Sequence, residues 1–164
     1  MGYIHSIVYR PHNWPGARAN DCFVRIPVAQ ACLLAGYGIE GDAKAGRHPR
    51  RQLNVLSHAW LEARRQEGYR VEPGAFGEQL VLAGVTLEEM SPGTLLRLGT
   101  EAEIEITYLR TGCAKVKLMH GGAQPGLEGA IGVLARVTHS GIIRVGDVVS
   151  YRQEKVPGRD AAPS

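Results

Sequence analysis

The chain has 164 residues, 44% of them hydrophobic and 21% charged, which fits one globular domain burying roughly two-thirds of its unfolded surface. A net charge of +3 is too mild to call for a nucleic-acid partner. The longest apolar run, Pro27 to Leu34, is too short to cross a bilayer, and the first residues lack a signal-peptide core, so neither a membrane nor a secretory route is expected. Three cysteines without a CxxC pair argue against a closed disulfide framework and for a reducing, cytoplasmic setting.

Residues 3 to 10 alternate weakly and stop at Pro11, which reads as a first strand followed by a turn-rich loop. Phe23, Val24, Ile26 and Val28 suggest a second strand, with Pro27 placing part of it at a sheet edge. From Gly36 to Gly46 there are four glycines in eleven residues, too many for a regular element. A loop of this kind exposes backbone N–H groups. Lys44, Arg47 and Arg51 stand in or beside it, next to Gly41 and Asp42, and either a solvated turn or an anion cradle fits that pattern. The glycine spacing is not that of a dinucleotide-binding loop.

Gln52 to Leu56 predicts a short strand that runs into Ser57 as N-cap. A helix follows from His58 to Glu67, with Trp60, Ala63 and Arg64 on one face and Gly68 as its stop. His58 reads as a surface residue. Pro73 to Gln79 is a turn that carries Glu78 at its exit, Leu80 to Leu82 a brief strand, Leu87 to Met90 one helical turn, and Leu95 to Leu98 another strand.

The stretch from Glu103 to Tyr108 alternates polar and apolar residues, which predicts a strand with Ile104, Ile106 and Tyr108 on its inner face. The pattern breaks at Gly112 and presents Cys113 between Arg110 and Lys115. Cations within ~4–6 Å favour the thiolate, which is both the nucleophile and the metal ligand. A small apolar residue in a buried turn is the other reading of that cysteine. Cys22 and Cys32 lie on apolar runs and read as structural. Gly132 to Val137, Ile142 to Val145 and Val148 to Tyr151, separated by turns, predict a terminal meander, and residues 152–164 a disordered tail. Seven to nine strands with one main helix indicate a mainly β, mostly antiparallel barrel over residues 1–151. The loop at 38–47, the turn at 74–79 and Cys113 are expected to border one pocket, with the thiol partly open to solvent.

Five stretches together resemble a stand-alone MOSC domain, the fold named after the C-terminal region of molybdenum-cofactor sulfurases. They are Gly38 to Gly46, where the family has Gly-x-x-Gly-Asp-x-His-x-Gly; Arg51 to Leu53; Pro73 to Gln79; Ile106 to Arg110 leading to Cys113; and Gly132 to Asp147. Lys44 stands in place of the family's histidine and Gln79 in place of an asparagine. Lysine keeps a cation and glutamine an amide, so anion binding survives both changes. The chain is also read as lacking the N-terminal β-domain of amidoxime-reducing relatives and the helical C-terminal extension of some bacterial members.

The resemblance implies a molybdenum-cofactor-linked domain in which Cys113, assisted by Arg110, is a persulfide carrier or a molybdenum thiolate ligand. Gly41, Asp42, Lys44, Arg47, Arg51, Glu78 and Lys115 would hold a pterin-type or other anionic small molecule. It implies a cysteine desulfurase as partner, with pyridoxal phosphate entering only through that partner. Two alternatives stand beside it: molybdenum-dependent reduction of N-hydroxylated compounds, and non-catalytic binding of a phosphorylated metabolite.

Overall fold

The computed structural model describes residues 1–11, 25–111 and 129–153. Eleven strands and one α-helix are found among them: β1 (Gly2–Tyr9), β2 (Ile26–Val28), β3 (Gln30–Leu34), β4 (Gly38–Ile39), β5 (Leu53–Ser57), α1 (His58–Gln66), β6 (Leu80–Ala83), β7 (Thr94–Leu98), β8 (Ala102–Thr111), β9 (Ala130–His139), β10 (Gly141–Arg144) and β11 (Val148–Gln153). Seven strands close a barrel in the order β1, β11, β7, β8, β9, β5, β6 and back to β1, with β2 as an outer edge on β1. The mainly β, mostly antiparallel barrel with one main helix is therefore the observed architecture.

The helix follows from the one parallel pair. β5 and β6 run in the same direction, and parallel neighbours need a crossover, usually a helix. That crossover contains α1, which packs Leu61 outside the barrel on Leu56, Val81, Tyr69 and Phe76. β6 is consequently buried on both faces, which is why it reads as an unbroken apolar run. Inside, Ile4, Leu53, Leu82, Leu98, Ile104 and Val133 belong to one core cluster and are fully buried. Gly132 lets β9 lie close on β5, since a Cβ there would fall 2.5 Å from the Val55 carbonyl oxygen.

Four expectations change. The terminal meander does not form: β9 pairs with β8 and β5, β11 with β7 and β1, while β10 leaves the barrel to join β3 and β4 in a separate three-stranded sheet. The turn after β9 is held to the β3–β4 connection, where the Ser140 hydroxyl accepts from the Ala35 N–H at 2.8 Å. Local alternation marks strands but does not say which neighbour each will take. The strand count exceeds seven to nine because the 26–39 stretch splits into β2, β3 and a two-residue β4 inside the glycine loop. β11 continues to Gln153, with Arg152 opposite Leu95 and Gln153 opposite Thr94. Tyr108 lies on the outer face and is 38% exposed. A register shift between Ile106 and Tyr108 inserts Thr107, and one extra residue reverses the faces of all that follow.

Ser57 stands at the N-cap position without a side-chain cap bond. Its hydroxyl is fully buried and turned away from the helix, donating to Glu88 Oε2 at 2.8 Å and accepting the Leu87 N–H at 2.9 Å. Ser57→Ala should therefore destabilise through the Leu87 turn, not through α1, by about 1–3 kcal/mol, the usual cost of orphaning a buried donor. Urea unfolding should show the midpoint falling at unchanged slope, and no change in midpoint would show that the hydroxyl contributes nothing.

Candidate functional site

Asp42 follows β4 in the glycine loop, and its side chain is fully buried. A carboxylate there needs a partner for each lone-pair direction. Oδ1 accepts from the Arg10 backbone N–H at 3.0 Å and from the Arg25 guanidinium at 3.4 Å, and Oδ2 accepts from the Gln79 side-chain amide at 3.1 Å. Gln79 carries the network onward, its Oε1 accepting the Asn54 N–H at 2.7 Å. Through one side chain the end of β1, the segment before β2, the glycine loop, and the starts of β5 and β6 are joined.

The turn before β6 closes on Glu78, which is also fully buried. Its two oxygens accept the N–H groups of Gly74 and Phe76 at 2.8 and 3.0 Å. Burial pushes the carboxyl up, against the backbone N–H groups and Arg110, which pull it down. Arg110, on the outer face of β8, donates to the Phe76 carbonyl of this turn. Arg25 reaches the same turn at the Gly77 carbonyl, 3.3 Å away. Gly74 has φ +87°, and a Cβ on it would lie 2.6 Å from Arg25 Cβ, so this turn admits Arg25 only with glycine there.

Lys44 is the functional consequence of this packing. Burial, then Arg25, Arg110 and Arg51, lower its pKa from 10.5 to about 8, while Asp42 opposes them. The nearest acid is already engaged, and the other cations cannot lose their protons. Arg51 is shared with an aromatic side chain: it lies 5.2 Å from the Tyr108 ring centroid, and Arg50 lies 5.5 Å from the same ring. Cation–π contacts of this kind contribute about 0.5–1 kcal/mol at exposed sites and hold Arg51 at the rim.

Of the residues singled out from sequence, Asp42, Lys44, Arg51, Glu78 and Arg110 meet around these two loops. Gly41 and Arg47 are exposed on the same loop. Cys113, Lys115, Cys22 and the glycine-rich stretch at 120–126 lie outside the described residues, as does the metal-ligand role read for Cys113. Among the described residues no group of three or more metal-ligating side chains is arranged to hold a metal. The Cys32 thiol is pushed up by burial and Glu40, which suits a structural cysteine. His58, read as a surface residue, stacks on His5 with ring centroids 4.0 Å apart, and burial and His58 hold His5 below its ordinary value.

Sequence reasoning missed Arg25, which stands in no recognisable motif. It also gave Gln79 no part in ordering the loops. The signal for Gln79 was available in its position directly after the turn acid, at the head of an apolar strand.

The family model for the MOSC domain matches residues 42–150, beginning at the buried aspartate. The chain belongs to the MOSC domain family. MOSC domains are linked to the molybdenum cofactor. Three solved structures share the MOSC fold seen here. The YUAD protein from Bacillus subtilis superposes with a TM-score of 0.72 at 18% identity, covering 94% of this chain and 98% of its own. YiiM from Geobacillus stearothermophilus gives 0.65 at 21% identity, covering 96% and 78%. YiiM from Escherichia coli gives 0.65 at 20%, covering 93% and 71%. No curated protein matches the chain at a significant level.

Two outcomes test the network. Asp42→Ala removes one partner of a buried ion pair in which Arg25 is only 8% exposed, so stability should fall by roughly 3–5 kcal/mol. A chemical denaturation midpoint within error of wild type would refute this role. Lys44 acts in the opposite sense. With its folded pKa at about 8 and the free value at 10.5, the unfolded chain binds more protons between those limits, so this residue makes stability rise with pH across that window and is most destabilising below it. Lys44→Met should be more stable than wild type at neutral pH, with the gap closing as pH approaches 10.5.

Proposed function

We propose that this MOSC domain is a molybdenum-cofactor-linked, sulfur-handling or cofactor-binding domain. Lys44, Arg25, Arg51 and Arg110 hold an anionic group such as a pterin phosphate, and Cys113 serves as persulfide carrier or molybdenum thiolate ligand. The carrying observation is Lys44 itself, an amine drawn down to about 8 by burial and three guanidinium groups, with Asp42 acting against them. A phosphate fits such a cluster by charge and by hydrogen-bond geometry. Asn54 Oδ1, buried without a partner among the described residues, leaves an acceptor beside the same turn.

The residues then divide by task. Asp42 and Gln79 fix the loops, Glu78 shapes the turn that Arg110 contacts, and Gly41 and Arg47 border the cluster from the exposed side. Cys113 follows Arg110 by three residues, a length of chain that reaches at most about 11 Å. Lys115, two residues further on, adds a cation beside the thiol and favours its ionised form. Soft thiolate suits molybdenum, which when bound would supply the atom-transfer chemistry. As a carrier, the Cys113 thiolate would attack the terminal sulfur of a desulfurase persulfide; that S–S bond breaks, a new one forms on Cys113, and the donor leaves as a thiolate.

The test is metal and pterin analysis of protein purified from a cofactor-competent host, together with persulfide labelling after incubation with a cysteine desulfurase and cysteine. Molybdenum or persulfide should be retained by the wild type and lost in Cys113→Ser. An Arg25→Ala/Arg51→Ala variant should lose pterin or phosphate at roughly 1–3 kcal/mol per charge-assisted contact. Wild type with neither molybdenum nor persulfide, yet holding a phosphorylated compound, would favour the non-catalytic binder instead.

A further inference from the structure

A second polar cluster lies outside the barrel, beside the first turn of α1. His5 on β1 and His58, the first residue of α1, stack with ring centroids 4.0 Å apart and planes tilted by 33°. Both rings border a cavity of about 80 Å³ whose lining also includes Ser6, Leu61, Glu62 and Glu78, enough room for a few waters. Glu62 Oε1 lies 3.8 Å from His58 Nε2, but the same oxygen accepts from Arg65 Nε at 3.2 Å, and Oε2 accepts from Arg65 Nη2 at 2.8 Å. Glu78 is engaged by the Gly74 and Phe76 N–H groups of its own turn. No acid stands in the first turn of α1. Among the described residues of this cavity, the carboxylate within reach of the stacked rings is one that an arginine already shares.

Two imidazolium charges at this separation repel each other, so the stack is compatible with one proton on the pair and opposed by a second. We propose that His5 and His58 form an acid-sensitive latch between β1 and α1: it is closed while the pair holds at most one proton, and when both rings are charged the first turn of α1 lifts from β1 and the cavity opens to solvent. The titratable and charged groups around it come from each neighbouring element: His5 from β1, His58 and Glu62 from α1 with Arg65 beside Glu62, and Glu78 from the turn before β6. Burial and His58 hold His5 below its ordinary value, against Glu62. The folded chain therefore binds this proton less readily than the unfolded one, so the stability that the closed latch contributes is present above the ordinary histidine value of ~6.5 and is lost as pH falls below it. The rest of α1 stays seated through Leu61 on Leu56, Val81, Tyr69 and Phe76, which confines the opening to its first turn. The effect reaches further because Glu78 lines the same cavity, and Arg110 contacts the turn that Glu78 closes. Acid would thus admit water beside that carboxyl with no ligand taking part.

Hydrogen exchange followed by NMR reads the latch directly. In an α-helix the N–H groups of Glu62 and Ala63 close the first turn on His58 and Ala59. Their protection, corrected for intrinsic exchange, should fall roughly five- to tenfold between about pH 7.5 and pH 5, and the two wild-type rings should titrate in linked steps that belong to the pair. His5→Phe keeps an aromatic ring on the stack without a charge, and its protection should stay level over the same range. His58→Gln, a second variant in case the phenyl ring does not fit, should equally lose the acid step. Level protection in the wild type overturns the latch even where the rings titrate together, since the pair then carries both protons in the closed form. Wild-type ring titrations that match those of the single variants overturn it as well. An acid loss that persists in both variants belongs to another group, such as Glu62 or Glu78, and has the same consequence.

Discussion

A buried carboxylate holds this end of the barrel together. Asp42 has no contact with solvent, and an ionised acid in such a place is tolerable only when its oxygens are paired. The partners come from the ends of three neighbouring strands: the backbone just after β1, the side chain just before β2, and the glutamine just before β6. An isolated bridge between Pro11 and Asp42 and the bond from the Ala43 N–H to the Arg10 carbonyl, 2.7 Å, fasten the same point. The loops at this end acquire one arrangement, and removing the acid would take a shared acceptor from three donors at once.

The same economy produces the cation cluster. Glu78 is satisfied mainly by backbone N–H groups of its own turn, and Asp42 by an amide, an N–H and one guanidinium. Both acids are thus committed to shaping the loops, and among the causes that act on Lys44 only Asp42 favours its charged form. Desolvation and repulsion make such a cluster destabilising by itself, and the rigid loops are what hold it in place. Under the anion-site proposal, stability and anion binding would draw on the same residues with opposite signs, which is the expected signature of a site as opposed to a structural ion-pair network.

Much of the architecture was legible because period-two patterns, glycine turns and one helix with its stop are local properties. The family pattern, carried by short motifs in the right order, was legible for the same reason. What was not legible depended on pairing partners. Arg25 matters because Gly74 lets it pass the 74–78 turn, fifty residues away in sequence, and nothing near Arg25 announces it. Ser57 occupies the position read for it, but its hydroxyl serves Leu87 and Glu88, about thirty residues on. β10 has the alternation of a meander strand and joins another sheet, because the Ser140 turn is bonded across to Ala35.

The most consequential misreading, Tyr108, also explains how the site is assembled. Had the alternation from Ile104 continued, Tyr108 and Arg110 would have pointed into the core, where an arginine has no tolerable environment. The insertion of Thr107 turns both outward, and its cost is contained because the Thr107 hydroxyl, itself buried, lies 2.5 Å from the Arg50 carbonyl and 3.0 Å from that of Leu134. From that one irregularity Tyr108 comes under Arg50 and Arg51, and Arg110 comes against the Phe76 carbonyl of the Glu78 turn. Bulges commonly re-aim side chains beside functional sites. Here a single extra residue in β8 delivers two of the three guanidinium groups around Lys44, on the strand that leads directly to Cys113.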